Sequence, residues 1–103
     1  MAELDAIIAH TQRMRALREE RVSLEQLKRA CESVPDPLRH PDKYLRSDGA
    51  TSVIAEIKRA SPWGVYSDIE DPTPLAQAFE RGGAAMLSVV TESSLFNGSY
   101  EDL

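Results

Sequence analysis

Two short apolar runs separated by one helical pattern constrain the fold of this chain more than any other feature. The first, residues 53–57, is partly β-branched and lies between turn-forming residues, and the second, residues 86–90, is almost continuously apolar. Runs of this length and composition predict strands, the second one covered on both sides. Residues 71–83 begin with Asp-Pro and end in paired glycines, which predicts a helix between the strands. The order of strand, helix and strand predicts one βαβ unit and an α/β fold.

Two amphipathic helices are predicted before this unit. Apolar residues at three- and four-residue spacing indicate a helix near residues 3–20. Ser23 is expected to cap the second helix, with Gln26 reaching back to complete a capping box. Prolines and a turn at residues 47–50 then separate the helices from the first strand. We expect a helical extension over residues 1–50 and the βαβ portion over residues 51–103. The second helix is expected to bury a stripe made of Leu24, Leu27, Ala30 and Cys31.

Composition and charge narrow the possible functions. With 42% hydrophobic and 28% charged residues, the chain is typical of a soluble globular protein, and it has no run of about 18 apolar residues that could span a membrane. Residues 1–64 carry eleven basic and ten acidic side chains, whereas residues 65–103 carry one and seven. That distribution disfavours nucleic acid as a partner, because phosphate backbones require a concentrated basic face. We expect a cytoplasmic protein without a membrane partner.

Neither a disulfide nor a metal site is expected. Cys31 is the only cysteine, so no intrachain disulfide and no cysteine metal cluster can form. His10 and His40 lie far apart, and neither has a ligand-type partner at helical spacing. No cofactor is predicted.

The first strand carries the residues best suited to chemistry. Side chains alternate along a strand, so Glu56 and Lys58 share one face, and Arg59 lies on the other as a surface or salt-bridging residue. A carboxylate and an amine therefore project together from the carboxyl end of a parallel strand, where barrel enzymes place catalytic groups. From spacing alone, an ion pair that only caps the strand is an equally good interpretation.

Four sequence blocks stand out along the chain: IAEIKRASP at 54–62, DP at 71–72, GGAAMLSVVTE at 82–92 and FNGS at 96–99. Together they closely resemble the opening βαβ unit of the indole-3-glycerol phosphate synthase family, and their order and approximate spacing match it. The two leading helices resemble the extension that precedes the family's first barrel strand. The resemblance therefore covers nearly the whole chain, closely from Val53 onward and more loosely before it.

The resemblance implies the N-terminal portion of a (β/α)₈ TIM barrel: two leading helices followed by one βαβ unit, with the barrel incomplete. It implies a lyase of tryptophan biosynthesis that closes the indole ring of a phosphorylated small-molecule substrate, with loss of carbon dioxide and water. Glu56 and Lys58 match the family's catalytic acid and lysine of the first strand. By the same likeness, Lys58 would hold the substrate carboxylate and act in proton transfer, with Glu56 assisting. Ser61, Pro62, Phe96 and Asn97 match substrate-binding positions, although an ordinary hydrophobic contact remains an alternative for Phe96.

The chain also departs from the family pattern. Many relatives have a serine and a lysine where this chain has only Trp63 between Pro62 and Gly64, so a shorter and stiffer loop is expected. The family's second catalytic lysine and its phosphate-binding loops have no counterpart before Leu103. Ser99 and Asp102 form a predicted helix-capping box, so a helix is expected to begin at the end of the chain. We expect an N-terminal segment that is inactive alone.

A second hypothesis belongs to a different functional class. A two-stranded parallel sheet leaves backbone donors and acceptors unpaired on both edges and is rarely stable by itself. The segment would then act as an interaction module that self-associates, or that complements a partial barrel through its strand edges.

Overall fold

A computed structural model describes residues 2–35, 40–45 and 48–103. The chain divides into two compact units, Met1–Leu38 and Arg39–Leu103. Two residues of the segment that separates the helices from the first strand, Pro37 among its prolines and Ser47 in its predicted turn, lie outside the described residues. Among the residues described, no helix combines the length and the apolar character needed to cross a membrane.

The first unit contains two helices. Helix α1 spans Ala2–Arg21, and helix α2 spans Leu24–Glu32. The predicted capping box at the start of α2 is confirmed. The backbone amide of Ser23 donates to Gln26 Oε1 over 2.8 Å, and the amide of Gln26 donates to Ser23 Oγ over 3.2 Å. These reciprocal bonds satisfy two amide groups, one of them in the first turn, and fix where α2 begins.

The predicted burial of the α2 stripe is wrong. Leu24 and Leu27 are more than half exposed, Ala30 is exposed, and the thiol of Cys31 is exposed rather than buried. Helical periodicity identifies which side chains share a face, but burial also requires a second layer to cover that face. Within residues 2–35 the structure shows no buried residue in either helix, so no such layer is present there.

The second unit contains the predicted βαβ arrangement. Strand β1 spans Ile54–Ile57, helix α3 spans Thr73–Arg81, and strand β4 spans Met86–Val89. β1 and β4 pair in parallel, with Glu56 opposite Ser88. Among the described residues no further strand joins this two-stranded sheet, so both outer edges are open there. The α/β class and the parallel pairing are therefore confirmed.

Local signals set the ends of α3 as predicted. The Asp71 carboxylate accepts a hydrogen bond of 2.9 Å from the Thr73 amide. The hydrogen bonds from Thr73 hold the pKa of Asp71 below its ordinary value, against a smaller opposing effect of burial. At the other end, Gly83 adopts a left-handed conformation with a φ of 98°. Its amide donates to Glu80 O, and the amide of Ala84 donates to Phe79 O, so a Schellman motif ends the helix.

A short hairpin follows β1 and was not predicted. Strands β2, Ala60–Ser61, and β3, Gly64–Val65, pair antiparallel around a two-residue connection formed by Pro62 and Trp63. Gly64 has a φ of 147°, which favours glycine. The best-buried apolar side chains are Ile57 and Ala60, one at the end of β1 and one at the start of the hairpin. The hairpin is thus anchored at the carboxyl end of the first strand.

The chain closes with a capped 3₁₀ turn. The segment Tyr100–Asp102 is preceded by Ser99, whose hydroxyl accepts from the Glu101 amide over 3.1 Å. In return, the Ser99 amide donates to Asp102 Oδ2 over 3.1 Å. The predicted capping box is confirmed, although the turn it starts is a 3₁₀ turn.

Candidate active site

Glu56 and Lys58 lie side by side at the carboxyl end of β1. Lys58 Nζ lies 3.6 Å from Glu56 Oε1, so the two side chains share one face as the alternation of the strand predicts. Both side chains are partly exposed. An accessible ammonium beside a carboxylate can bind an anion and exchange a proton with a bound molecule.

Ser88 contributes a hydroxyl from the neighbouring strand. Its Oγ donates to Glu56 Oε2 over 3.0 Å, from the position directly opposite Glu56 in the parallel register. The Glu56 carboxylate is therefore contacted on one oxygen by Lys58 and on the other by Ser88. Sequence reasoning did not single out Ser88. The available signal was a polar residue inside an otherwise apolar strand.

The hairpin brings two further side chains to the strand end. The Tyr66 ring centroid lies 5.8 Å from Lys58 Nζ, a distance consistent with a cation–π contact. The Tyr66 hydroxyl is 2.5 Å from Ser61 Oγ, which also accepts from the Trp63 amide over 3.3 Å. We call Glu56, Lys58, Ser61, Tyr66 and Ser88 the strand-end cluster. Tyr66 was missed because no short motif marks it.

The Arg59 side chain links the segments that contain Ile69, Asn97 and Asp102. Its guanidinium forms two hydrogen bonds with the Asp102 carboxylate, of 2.5 and 2.9 Å, and its Nε donates to Ile69 O over 2.6 Å. Nη1 also lies 3.5 Å from Asn97 O. The two groups form an ion pair, so the sequence-based assignment of Arg59 to a salt bridge is confirmed. Their side chains are only 16% and 8% exposed.

The Arg59 and Asp102 charges stabilise each other. The hydrogen bond with Asp102 raises the pKa of Arg59, with burial opposing and the charge of Asp102 adding to the effect. The hydrogen bond from Arg59 lowers the pKa of Asp102, again against burial, with help from the charge of Arg59 and the Ser99 amide. Both groups therefore stay ionised around neutral pH, and the link persists there.

Glu92 organises the loop that follows β4. Its carboxylate accepts from the Ser94 hydroxyl and from the backbone amides of Ser94, Leu95 and Phe96, the three amide bonds measuring 2.9, 2.9 and 3.2 Å. Partial burial acts to raise the pKa of Glu92, but these hydrogen bonds together lower it. The Glu92 backbone oxygen also accepts from the Gly98 amide over 2.8 Å. An ionised carboxylate thus sets the path of residues 92–98.

The predicted site residues fall into two groups. The structure joins Glu56 and Lys58 directly, links Ser61 to them through Tyr66, and places Pro62 in the hairpin connection. Phe96 is half-buried, and Asn97 is exposed with a φ of 53°. Among the described residues, neither forms a hydrogen bond or ion pair with Glu56 or Lys58. The loop that carries Phe96 and Asn97 is instead connected to the end of β1 by Arg59.

Comparison with known proteins gives a single answer. The family model described as indole-3-glycerol phosphate synthase matches residues 4–103. Among similar proteins are the indole-3-glycerol phosphate synthases of Mycolicibacterium smegmatis, Mycolicibacterium vanbaalenii and Mycobacterium leprae. Each is 46% identical to this chain over 101 residues, which cover 97% of the chain.

The matched region is only part of each relative, since it covers 36% of that protein's length. Within the chain, however, the match includes both strands of the parallel sheet and every residue of the strand-end cluster. The resemblance inferred from the sequence, which covers nearly the whole chain, is thereby confirmed. The chain belongs to the indole-3-glycerol phosphate synthase family.

Proposed function

We propose that this chain supplies the first catalytic pair of an indole-3-glycerol phosphate synthase. The substrate would be 1-(2-carboxyphenylamino)-1-deoxyribulose 5-phosphate, and the reaction would be a step of tryptophan biosynthesis. The observation that carries the proposal is the position of Glu56 and Lys58, side by side at the carboxyl end of β1 in a chain of this family.

The chemistry of this reaction suits the pair. A carbon–carbon bond forms between the ring carbon that bears the carboxylate and the carbonyl carbon of the sugar chain. The carboxylate leaves as carbon dioxide, and its bonding electrons return to the benzene ring. The carbonyl oxygen is protonated to a hydroxyl and leaves as water, while the CH₂ carbon next to the nitrogen loses a proton, so that the double bond of the indole ring forms. The Lys58 ammonium would bind the substrate carboxylate and supply a proton, and Glu56 would assist the transfer. Both side chains are partly exposed, so a substrate can reach them.

Four further residues are proposed to contact the substrate. Ser61 and Pro62 lie on the hairpin next to the cluster, and Phe96 and Asn97 lie on the loop set by Glu92. Support comes from the way both segments are fixed near the end of β1: Tyr66 holds the hairpin, and Arg59 holds the loop. Phe96 would pack against the aromatic ring of the substrate, in line with the family resemblance.

We also propose that the βαβ unit belongs to a (β/α)₈ barrel and that these 103 residues are inactive by themselves. An open two-stranded sheet lacks the closed ring of strands around which a barrel site is built. Arg81 is the one basic residue after position 64, so the second half of the chain offers little positive charge to hold a phosphate group. The phosphate would be held by parts of the family's length that this chain does not span.

A chimera tests the proposed activity. In the M. smegmatis synthase, the matched region is replaced by this chain, and indole-3-glycerol phosphate formation is measured. We expect the chimera to form product and the 103-residue chain alone to form none. A folded chimera without activity would contradict the catalytic proposal. Product formation by the purified chain alone would contradict its inactivity.

The open sheet supports a second proposal, that the segment associates with copies of itself. Both outer edges of the sheet are unpaired among the described residues, and exposed large apolar side chains include Ile54 and Leu87 on its two strands. Edge pairing would satisfy backbone groups and bury apolar surface. Light scattering of the purified chain over a range of concentrations tests this proposal. A folded monomer at the highest concentration would refute it.

A further inference from the structure

The side chain of Glu56 needs a restraint that its own strand does not supply. A glutamate has three side-chain torsions, and a partly exposed one normally samples several rotamers. The contact with Lys58 is a weak restraint, because 3.6 Å exceeds the length of a normal hydrogen bond and the lysine is itself flexible. A second contact is therefore required to hold the carboxylate in one orientation.

Ser88 supplies that contact from a fixed position. Its hydroxyl donates to Glu56 Oε2 over 3.0 Å, leaving Oε1 as the oxygen that faces Lys58. The serine side chain is short, and the parallel pairing of β1 with β4 places its backbone directly opposite that of Glu56. The hydrogen bond thus depends on a rigid element, and it is a charge-assisted one.

We infer that Ser88 is a positioning residue, which acts through Glu56 by holding its carboxylate with Oε1 toward Lys58. This inference rests on the proposed function for its kinetic consequence, but the restraint of Glu56 is a property of the chain itself. Ser88 is not required to touch the substrate. Loss of the Ser88 hydroxyl would leave Glu56 and Lys58 in place and would allow the Glu56 carboxylate to rotate.

Two β-branched variants separate the hydroxyl from the shape of the side chain. Ser88→Thr keeps an oxygen donor, and Ser88→Val has nearly the same volume and branching without one. Both residues favour strands, so neither variant is expected to weaken β4. In the chimera with the M. smegmatis synthase, we expect Ser88→Val to lower kcat about 10-fold relative to Ser88→Thr, because the loss of one hydrogen bond to a charged group corresponds to about one order of magnitude in a rate. KM should stay within about twofold, because substrate contacts are unchanged.

A spectroscopic measurement on the 103-residue chain tests the restraint without any activity. Side-chain coupling constants of Glu56, measured by NMR, should indicate one dominant rotamer in the unmodified chain and in Ser88→Thr. Rotamer averaging is expected in Ser88→Val. Averaging already present in the unmodified chain, or equal kcat values for the valine and threonine variants, would overturn the inference. If the chimera with serine in place makes no product, the proposed function fails, while the Glu56 rotamers still decide whether Ser88 positions the carboxylate.

Discussion

Replacing Lys58 with alanine separates the two interpretations that the sequence leaves open. If the Glu56–Lys58 pair only caps the strand, the substitution removes an ion pair and lowers stability. If Lys58 is catalytic, the substitution leaves folding almost unchanged and greatly lowers turnover. The structure allows the size of each effect to be worked out before the experiment.

The structural effect must be small. The two charged atoms are 3.6 Å apart, and the lysine and glutamate side chains are 37% and 45% exposed. For two unit charges at about this distance, the attraction in water is about 1 kcal/mol, and exposed pairs measured in proteins contribute about 0.2–1 kcal/mol. Loss of a positioned proton-transfer group, in contrast, lowers a rate by about 10²–10⁴-fold, equivalent to about 3–5 kcal/mol in the activation free energy.

The assay combines turnover and thermal unfolding of the chimera, the latter followed by circular dichroism. Lys28→Ala is the matched control, because Lys28 Nζ lies 3.3 Å from Glu25 Oε1 in an exposed pair on α2 to which no catalytic role is assigned. We expect both variants to lose at most about 1 kcal/mol in unfolding free energy, and only Lys58→Ala to lose turnover. Similar turnover in the two variants would refute the catalytic role of Lys58. So would a loss of turnover in Lys58→Ala that is no larger than its loss of folded protein.

Three further changes test other parts of the structure, each by thermal unfolding of the 103-residue chain. Ser23→Ala removes the cap of α2 and should lower helix stability by about 1 kcal/mol. Asp102→Asn should make the stability of the fold depend less on pH in the acid range. Because Arg59 lowers the pKa of Asp102, the carboxylate stabilises the fold above about pH 4, and that stabilisation is lost as the pH falls through the lowered pKa. Gly98→Ala should destabilise the loop after β4 by about 1–3 kcal/mol, since a Cβ there would overlap the carbonyl oxygen of Val90 and lie 2.8 Å from its carbonyl carbon.

Each of these predictions has a result that contradicts it. Unchanged helical content and melting temperature in Ser23→Ala would mean that the capping box contributes nothing to α2. An Asp102→Asn variant that loses stability as steeply as the unmodified chain when the pH falls below about 4 would exclude a contribution from Asp102. For Gly98→Ala, Gly82→Ala is the comparison, because a Cβ at position 82 meets its nearest atom at 3.3 Å, a contact that small adjustments can relieve. Equal losses of stability in the two variants would contradict the predicted clash at Gly98.

Local rules predicted the parts of this structure that depend on a few neighbouring residues. The capping boxes at Ser23 and Ser99, the glycine end of α3 and the shared face of Glu56 and Lys58 all follow from spacings of two to four residues. In each case the physical cause, a hydrogen bond or strand alternation, acts within the same short segment.

The remaining features depend on more than a few neighbouring residues. Ser88 meets Glu56 only because two strands pair 32 residues apart, and spacing does not report that register. The hairpin at Ala60–Ser61 is too short for any periodicity, and it forms because the backbone at Gly64 permits the turn. The predicted burial of the α2 stripe is wrong because helical periodicity does not show whether another layer covers that face.

The position of Trp63 limits what tryptophan fluorescence can report about the folding of this chain. It is the only tryptophan, it lies in the connection of the hairpin, and 87% of its surface is exposed. An indole so fully hydrated in the native state already emits at the long-wavelength limit that is usually taken as a sign of denaturation. Intrinsic fluorescence would therefore report little when the chain unfolds, and a flat denaturation curve recorded this way would say nothing about whether the fold is intact.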